Sequence, residues 1–253
     1  MLNITAIPAL QDNYIWAIHN ANHVALVDPG EAAPVFDFLR HNKLQLEAIL
    51  CTHRHNDHIG GIAELRGVYN VPVYGRSHPR NPHITDDLSE GDRLHLAALD
   101  VEFQVWEVPG HLDDHLAYLT PEMVFCGDVM FGAGCGRNFE GTAAQLHHSL
   151  QRLASLPDET LVYCAHEYTA LNLPFAARCE PHNLDIQRRI ADTQRLRAAN
   201  MSSVPFTIGL EKATNPFLRC NQPELVQTLQ AHGLADTSEL GVFTALRTWR
   251  DHF

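Results

Sequence analysis

The segment Thr52-His53-Arg54-His55-Asn56-Asp57-His58 places four metal-ligand side chains within six positions. It stands between an apolar, strand-like run and a run with helical spacing. In an extended stretch residues i and i+2 point to the same side, so His53 and His55 can bind one ion. Where the chain turns into the helix, Asp57 and His58 can bind at a second position close by. The segment therefore predicts a metal site at a strand-to-helix junction.

Three further loops offer metal ligands in the same way. Each follows an apolar run and presents one ligand just beyond it, namely His111, Asp128 and His166. Because a site opens where strands end, we expect these loops to meet the first segment at one sheet edge. Five histidines and two aspartates are too many for one tetrahedral zinc ion, but they suit two ions that share a carboxylate. The competing interpretation is a solvated loop rich in histidine, and four ligand-type residues at one junction argue against it.

The composition excludes two classes of partner. The 253 residues include 18 lysines and arginines against 30 aspartates and glutamates, a formal charge of −12. That balance argues against binding nucleic acid or an anionic membrane surface, both of which need a basic face. No stretch approaches the roughly 20 apolar residues of a membrane span, and no signal-like segment opens the sequence, so we expect a cytoplasmic protein. Its six scattered cysteines are expected to be reduced thiols.

Histidine is unusually frequent, with 17 residues. Five belong to the predicted metal site, and surface positions on a helix, at turns or near chain ends account for the others except His115. His115 lies four residues after His111. It can either support a ligand from behind or lie in solvent, and the sequence leaves both open.

Apolar runs and helical spacing divide the chain into two parts. We predict a mixed α/β domain over residues 1–173 and a helical domain over residues 174–253, without strands in the second. The predicted strands cover residues 14–18, 24–27, 48–51, 71–74, 100–108, 116–119, 123–126 and 161–164. The predicted helices cover residues 33–41, 59–69, 142–156, 183–199, 223–232 and 238–249.

The ligand motif resembles that of a known superfamily. His53-Arg-His-Asn-Asp-His58 matches the HxHxDH signature of the metallo-β-lactamase superfamily, and the three later ligands follow in the family's order. Within it the chain resembles the glyoxalase II (hydroxyacylglutathione hydrolase) family, through segments Gly134–Thr142, Ala165–Thr169 and Asn215–Arg219. The resemblance implies an α/β fold of the αββα sandwich type, with the site at its edge. It also implies a C-terminal helical domain that closes over glutathione.

The resemblance assigns a role to each site residue. It divides the ligands into two sets and one bridging residue: His53, His55 and His111; Asp57, His58 and His166; and Asp128 between them. Asp57 and Asp128 are the predicted catalytic residues. The substrate would be bound by Arg137, Phe139, Tyr168 and Arg219. The chain departs from the family after His111, where Leu112-Asp-Asp-His115 stands in place of Thr-x-Gly-His.

The implied reaction is hydrolysis of a glutathione thioester such as S-lactoylglutathione to glutathione and D-lactate, the second step of methylglyoxal detoxification. The implied cofactors are two divalent metal ions per chain, zinc first, with iron or manganese as alternatives because the same donors accept them. We expect a monomer with a small-molecule substrate. Three other functions stay open: a persulfide dioxygenase-like oxidoreductase with one iron, another hydrolase of the fold such as a lactonase, and a non-catalytic metal-binding protein.

Overall fold

The computed structural model describes residues 2–253, which fall into two compact units that are discontinuous in sequence. The first unit contains the residues up to Glu107 together with Asp114–Gly127. The second contains Val108–Asp113 together with Asp128–Phe253. The predicted boundary at residue 173 separates a catalytic part of the chain from a substrate-binding part. It is a division by function, and it stays a prediction.

The first unit is a mixed α/β structure. Its strands are β1 (Asn3–Ala9), β2 (Asn13–His19), β3 (His23–Val27), β4 (Gln45–Leu50), β5 (Val73–Gly75), β6 (Asp86–Asp87), β7 (Arg93–Leu96), β8 (Val101–Glu107), β9 (Leu116–Leu119) and β10 (Met123–Gly127). Its helices are α1 (Ala33–Asn42), α2 (Asn56–Ile59), α3 (Ile62–Val68) and a 3-10 turn at Ala97–Leu99.

Strands β1 to β6 form one sheet in sequence order. The pairs β1–β2 and β2–β3 are antiparallel, whereas β3–β4, β4–β5 and β5–β6 are parallel. Strands β7 to β10 pair antiparallel with their neighbours. Parallel strands present their carboxyl ends at one edge, so the residues after β3 and β4 lie on the same side of the sheet.

The core of the first unit explains why these runs become strands. The buried apolar residues of β2, β3 and β4 pack with α1 and α3 in one cluster that includes Ile15, Leu26, Val35, Ile49 and Ile62. Val35 and Leu39 are four residues apart on α1 and both are buried, as an amphipathic helix requires. Burial of this sheet fixes the direction in which β4 ends, and β4 leads directly into the predicted ligand segment.

The second unit is mainly helical. Its strands are β11 (Met130–Phe131), β12 (Gly134–Cys135), β13 (Leu161–Cys164) and β14 (Phe206–Thr207). Its helices are α4 (Ala143–Ala154), α5 (Thr169–Cys179), α6 (Leu184–Ala198), α7 (Ile208–Thr214), α8 (Pro223–Ala231), α9 (Glu239–Asp251) and a 3-10 turn at Pro216–Leu218. Thr142 caps α4 in a capping box with Gln145, as the sequence predicts for this position.

The structure corrects several of the predicted elements, and β6, β7, β11, β12 and α7 were not predicted. Strand β1 was not predicted, because its alternation is weak and Pro8 interrupts it. Helix α5 was not predicted either, since Pro174 lies inside it. The predicted helix over residues 59–69 begins earlier, at Asn56, and is divided after Ile59. Strand β14 contradicts the prediction that strands stop after residue 173; it is only two residues long.

None of the helices within residues 2–253 combines the length and the apolar character that a membrane span requires.

Candidate functional site

The loop after β4 carries His53 and His55 as a pair of converging donors. The Nε2 atom of His53 lies 3.1 Å from the Nδ1 atom of His55. An ion about 2.0–2.1 Å from each nitrogen can span that separation. Thr52 Oγ1 lies 3.0 Å from the other ring nitrogen of His53 and so helps to fix the ring. The prediction that residues i and i+2 converge here is therefore met by the geometry of this loop.

Asp57 and His58 form a second donor pair on the first turn of α2. The Oδ2 atom of Asp57 lies 3.4 Å from the Nε2 atom of His58. Asn13 Nδ2 donates a hydrogen bond of 3.0 Å to the same Asp57 oxygen. Residue 30 must be glycine, because a Cβ there would lie 1.8 Å from the carbonyl oxygen of Asp57. The turn after β3 is thus shaped to hold Asp57 in place.

Asp28 supports this half of the site from behind. Its carboxylate accepts hydrogen bonds from the backbone N–H of Thr52 at 2.7 Å and from the Thr52 hydroxyl at 2.6 Å. Its Oδ2 atom lies 2.9 Å from Nδ1 of His58. Asp28, His53 and His58 each offer a ligand atom within 4.8 Å of the others. Because the oxygens of Asp28 are engaged by Thr52 and His58, we assign Asp28 to orientation of the ligands.

In the second unit, Asp128 presents one oxygen to each of two histidines. Oδ2 of Asp128 lies 3.6 Å from Nε2 of His111, and Oδ1 lies 3.4 Å from Nε2 of His166. All three side chains are buried. This is the arrangement that a carboxylate needs if its two oxygens are to bind different ions.

The segment Gly134–Thr142, which we call the substrate segment, also orients His111. The Nδ1 atom of His111 lies 2.8 Å from the carbonyl oxygen of Arg137 and donates to it, which leaves Nε2 for a metal. At residue 136, a Cβ would lie 2.1 Å from the carbonyl oxygen of Asp128 and 2.9 Å from Nδ1 of His111. Glycine is therefore required there, and the segment Gly134–Arg137 is packed directly against two predicted ligands.

Two predicted substrate residues are aromatic rings that pack on the ligands. The ring of Tyr168 stacks on that of His166, with centroids 4.6 Å apart and planes at 10°. Phe139 meets His111 edge-on at 5.2 Å, and 60% of Phe139 is exposed. Both rings thus form apolar surface beside predicted metal ligands, as a binding surface requires.

The two predicted substrate arginines differ in their surroundings. Arg219 donates to both oxygens of Glu180, at 2.7 and 2.9 Å, and Glu180 is buried. Its charge is therefore balanced within the fold. Arg137 is largely exposed and lies 3.4 Å from Asp251 of α9.

Helix α9 places two more arginines, Arg247 and Arg250, near Arg137. Arg247 donates to the carbonyl oxygens of Cys135 and Gly136, at 3.0 and 3.3 Å, and pairs with Asp251 at 3.0 Å. Burial, together with the charges of Arg247 and Arg137, lowers the pKa of Arg250 from its usual value. Arg137 and Arg247 therefore pair with the carboxylate of Asp251, and Arg250 adds a third positive charge to this cluster.

Cys51, Cys126 and Cys164, each two residues before a predicted ligand, are buried, and none of the six cysteines forms a disulfide. Burial first, and the charge of Asp28 second, raise the pKa of the Cys51 thiol well above its usual value. Such a thiol stays protonated at neutral pH and is a poor metal ligand. The eleven histidines predicted to be at the surface are exposed or partly exposed, and His115 is buried.

Four residues of the site were missed from the sequence: Asn13, Asp28, Arg247 and Arg250. Asp28 carries a usable signal, since it directly follows an apolar run as the predicted ligands do, but Pro29 and Gly30 after it are typical of a turn. Its φ of 55° is left-handed, a conformation that aspartate tolerates. Asn13 and the two arginines act over long sequence separations and have no local signal.

Two family models and several named relatives match the chain. Residues 10–166 match the metallo-beta-lactamase superfamily, and residues 167–253 match the hydroxyacylglutathione hydrolase C-terminus. A relative from Photobacterium profundum, named hydroxyacylglutathione hydrolase, is 49% identical over 255 residues and 100% of both chains. A relative of the same name from Nitrosomonas europaea is 45% identical over 254 residues, which cover 100% of this chain and 97% of that one.

A solved structure shares the fold. A protein crystallised in a di-iron-bound form aligns with a TM-score of 0.61 and 28% identity, over 85% of this chain and 100% of that chain. Together with the family matches, this similarity confirms the predicted α/β fold class and its C-terminal helical region.

Proposed function

The chain belongs to the hydroxyacylglutathione hydrolase family of the metallo-β-lactamase superfamily, and we propose that it hydrolyses S-(2-hydroxyacyl)glutathione thioesters at a two-metal site. With S-lactoylglutathione the products are glutathione and D-lactate, which makes the reaction the second step of methylglyoxal detoxification. The site would consist of the seven predicted ligands: His53, His55, Asp57, His58, His111, Asp128 and His166.

The observation that carries the proposal is the position of Asp128. Its two oxygens face different histidines, His111 and His166, which is what a bridging carboxylate requires. The first unit supplies two further donor pairs, one on the loop after β4 and one on α2. Imidazole nitrogens and carboxylate oxygens suit zinc, iron or manganese, and we propose zinc.

Bound divalent ions supply Lewis-acid chemistry and lower the pKa of a water molecule toward about 7. The remaining chemistry falls to the protein. Asp57, fixed by Asn13, can orient the attacking water toward the thioester carbonyl. Attack on the carbonyl carbon breaks its bond to sulfur, and glutathione leaves as the thiolate. Because a thiol pKa is near 8.5, the leaving group needs no separate acid.

Glutathione is anionic, so a chain of charge −12 must gather positive charge locally. The cluster of Arg137, Arg247 and Arg250 provides three such charges, of which those of Arg137 and Arg247 pair with Asp251. We therefore favour this cluster for the carboxylates of the substrate. Arg219 is less suited, since Glu180 balances its charge. Tyr168 and Phe139 would pack on the apolar parts of the substrate.

The test is metal content measured together with thioester hydrolysis. We expect two metal ions per chain and hydrolysis of S-lactoylglutathione. In Asp128→Asn, one bridging oxygen becomes an amide nitrogen. The variant should hold fewer ions and lose more activity than the roughly 10–100-fold that follows loss of a ligand's outer partner.

A matched control is Asp100→Asn, at an exposed, left-handed position after the 3-10 turn of the first unit, where asparagine is tolerated equally well. It should behave like wild type. Two ions and full activity in Asp128→Asn would contradict the bridging role. One iron per chain with no thioesterase activity would instead favour the oxidoreductase. A monomeric state, a cytoplasmic location and zinc as the native metal stay predictions.

A further inference from the structure

Arg54 stands between two predicted metal ligands, His53 and His55, yet its own side chain is buried. Its Nη1 atom lies 2.5 Å from Oδ1 of Asp114. Only 3% of the Arg54 side chain and 5% of the Asp114 side chain are exposed. A full ion pair is therefore enclosed directly behind the metal-binding loop.

Stability alone is a weak reason for such a pair. Removing two charges from water is expensive, and their attraction repays the cost only in part. An apolar pair of similar volume is often as stable or more stable. What an ion pair adds is a directional contact, because an arginine and a carboxylate fit in few orientations.

The contacts around the pair show which segments it joins. The backbone N–H of Leu116 donates to the carbonyl oxygen of Thr52 at 2.8 Å. The Tyr118 hydroxyl donates to the carbonyl oxygen of Cys51 at 2.7 Å. Consecutive residues of the ligand segment, from Cys51 to Arg54, are thus tied to residues 114–118.

His115 belongs to the same set of contacts. It is fully buried, and its ring stacks on that of His53, with centroids 4.6 Å apart and planes at 16°. Of the two roles that the sequence left open, this position agrees with support of a ligand. Residue 114 is also where the chain departs from the family's glycine. A glycine there would have no carboxylate to pair with Arg54.

We propose that the Arg54–Asp114 ion pair is a positioning device for the metal site: it fixes the backbone between His53 and His55 so that their donor nitrogens converge. The inference rests on the proposed metal centre. Without the pair, rotation of residue 54 can separate His53 Nε2 from His55 Nδ1, and the first donor pair loses its geometry.

The main experiment uses the double variant Arg54→Met/Asp114→Leu, which removes both charges and keeps similar volumes. Its melting temperature should stay close to that of wild type. Its dissociation constant for zinc, measured by competition with a chelating dye, should rise by about 10-fold or more. The absorption bands of the cobalt-substituted protein should shift, since they report ligand geometry. For the thioester, kcat should fall while KM is nearly unchanged.

A second comparison keeps the inference testable if the double variant does not fold. Asp114→Asn removes the carboxylate charge beside the buried Arg54, and Glu211→Gln removes the one beside Arg189, whose ion pair in the second unit is equally buried. Both variants should lower the melting temperature. Only Asp114→Asn should weaken metal binding and shift the cobalt spectrum.

The outcomes separate this inference from the proposed function. A folded double variant with wild-type zinc affinity and cobalt spectrum would overturn the positioning role and leave the metal centre intact. Equal effects of Asp114→Asn and Glu211→Gln on metal affinity would overturn it as well. A wild-type protein that binds no metal would overturn the metal centre, and this inference with it.

Discussion

At the scale of single residues, Asp28 determines which ring nitrogen of His58 carries the proton. The Asp28 carboxylate can only accept hydrogen bonds, so Nδ1 of His58, 2.9 Å away, must carry its proton. The lone pair of a neutral His58 then resides on Nε2, the atom that faces Asp57. The same carboxylate holds the backbone and hydroxyl of Thr52, and Thr52 in turn contacts His53. One buried side chain thus orients a ligand from each of the two donor pairs in the first unit.

We therefore predict that Asp28→Asn weakens metal binding by roughly 10–100-fold, the usual cost of losing a ligand's outer partner. An amide offers one oxygen and one NH2 group. It therefore cannot accept from the backbone N–H of Thr52 as well as from the Thr52 hydroxyl and His58, as the two oxygens of Asp28 do. Metal affinity is measured by chelator competition. Asp87→Asn is the control, because Asp87, at the exposed end of β6 in the same unit, accepts from the backbone N–H of Ser77. Equal affinity in the two variants would show that Asp28 does not orient the ligands.

At the scale of elements, α9 holds the substrate segment from behind. Through Arg247 it binds the carbonyl oxygens of residues 135 and 136, and the next carbonyl, that of Arg137, accepts from His111. The C-terminal helix is thereby connected, through three consecutive residues, to a predicted metal ligand. Changes on α9 can consequently act on substrate binding and on the metal site by separate routes.

Two alanine variants distinguish the arginines. Arg250→Ala should raise KM for the glutathione thioester by about 10-fold, the value of one charge-assisted hydrogen bond. Hydrolysis of a small neutral ester should change little. Arg219→Ala should lower the free energy of unfolding by about 1–3 kcal/mol, because it leaves the buried carboxylate of Glu180 unpaired.

The sequence alone predicts a different effect for Arg219→Ala, namely a raised KM for the glutathione thioester. Steady-state kinetics with both substrates and a denaturant titration decide between the two roles. A higher KM at unchanged stability in Arg219→Ala would show that Arg219 binds the substrate. An unchanged KM in Arg250→Ala would show that Arg250 of α9 does not.

The sequence predicts sites formed by residues that are close in sequence, and it misses contacts between residues that are far apart in sequence. The donor pair on the loop after β4 follows from two histidines at i and i+2 beyond an apolar run, which needs no knowledge of the fold. The partner of His58 is 30 residues away, that of Arg219 is 39 away, and Arg247 reaches Cys135 over 112 residues. Such pairings have no periodicity, so only the folded chain reveals them.

At the scale of the whole molecule, six reduced cysteines are enclosed by the fold. Burial is the largest cause of the raised pKa of Cys51, Cys135, Cys179 and Cys220. A raised pKa lowers the thiolate fraction at neutral pH, and the thiolate is the reactive form. Burial therefore restricts access to all six thiols, and the raised pKa further lowers the reactivity of these four.

We predict that the native protein shows no fast reaction with a thiol reagent such as Ellman's reagent at pH 7.5, and that the denatured protein releases six equivalents. The colour yield under the two conditions measures the difference. A native thiol that reacts within seconds would reveal an opening of the fold at that residue, and replacing each cysteine by serine in turn would identify it.

The division into two discontinuous units has a consequence for biosynthesis. The first unit ends at Gly127, and its four predicted ligands all lie before that point, whereas the second unit needs α9 at the end of the chain. At about 5–20 residues per second, the ribosome needs on the order of ten seconds to add the remainder. Asp128 is the first residue added in that interval and His166 follows 39 residues after Gly127, so the nascent chain carries His53, His55, Asp57 and His58 before it has His166. Binding of the proposed pair of metal ions therefore has to follow translation of His166.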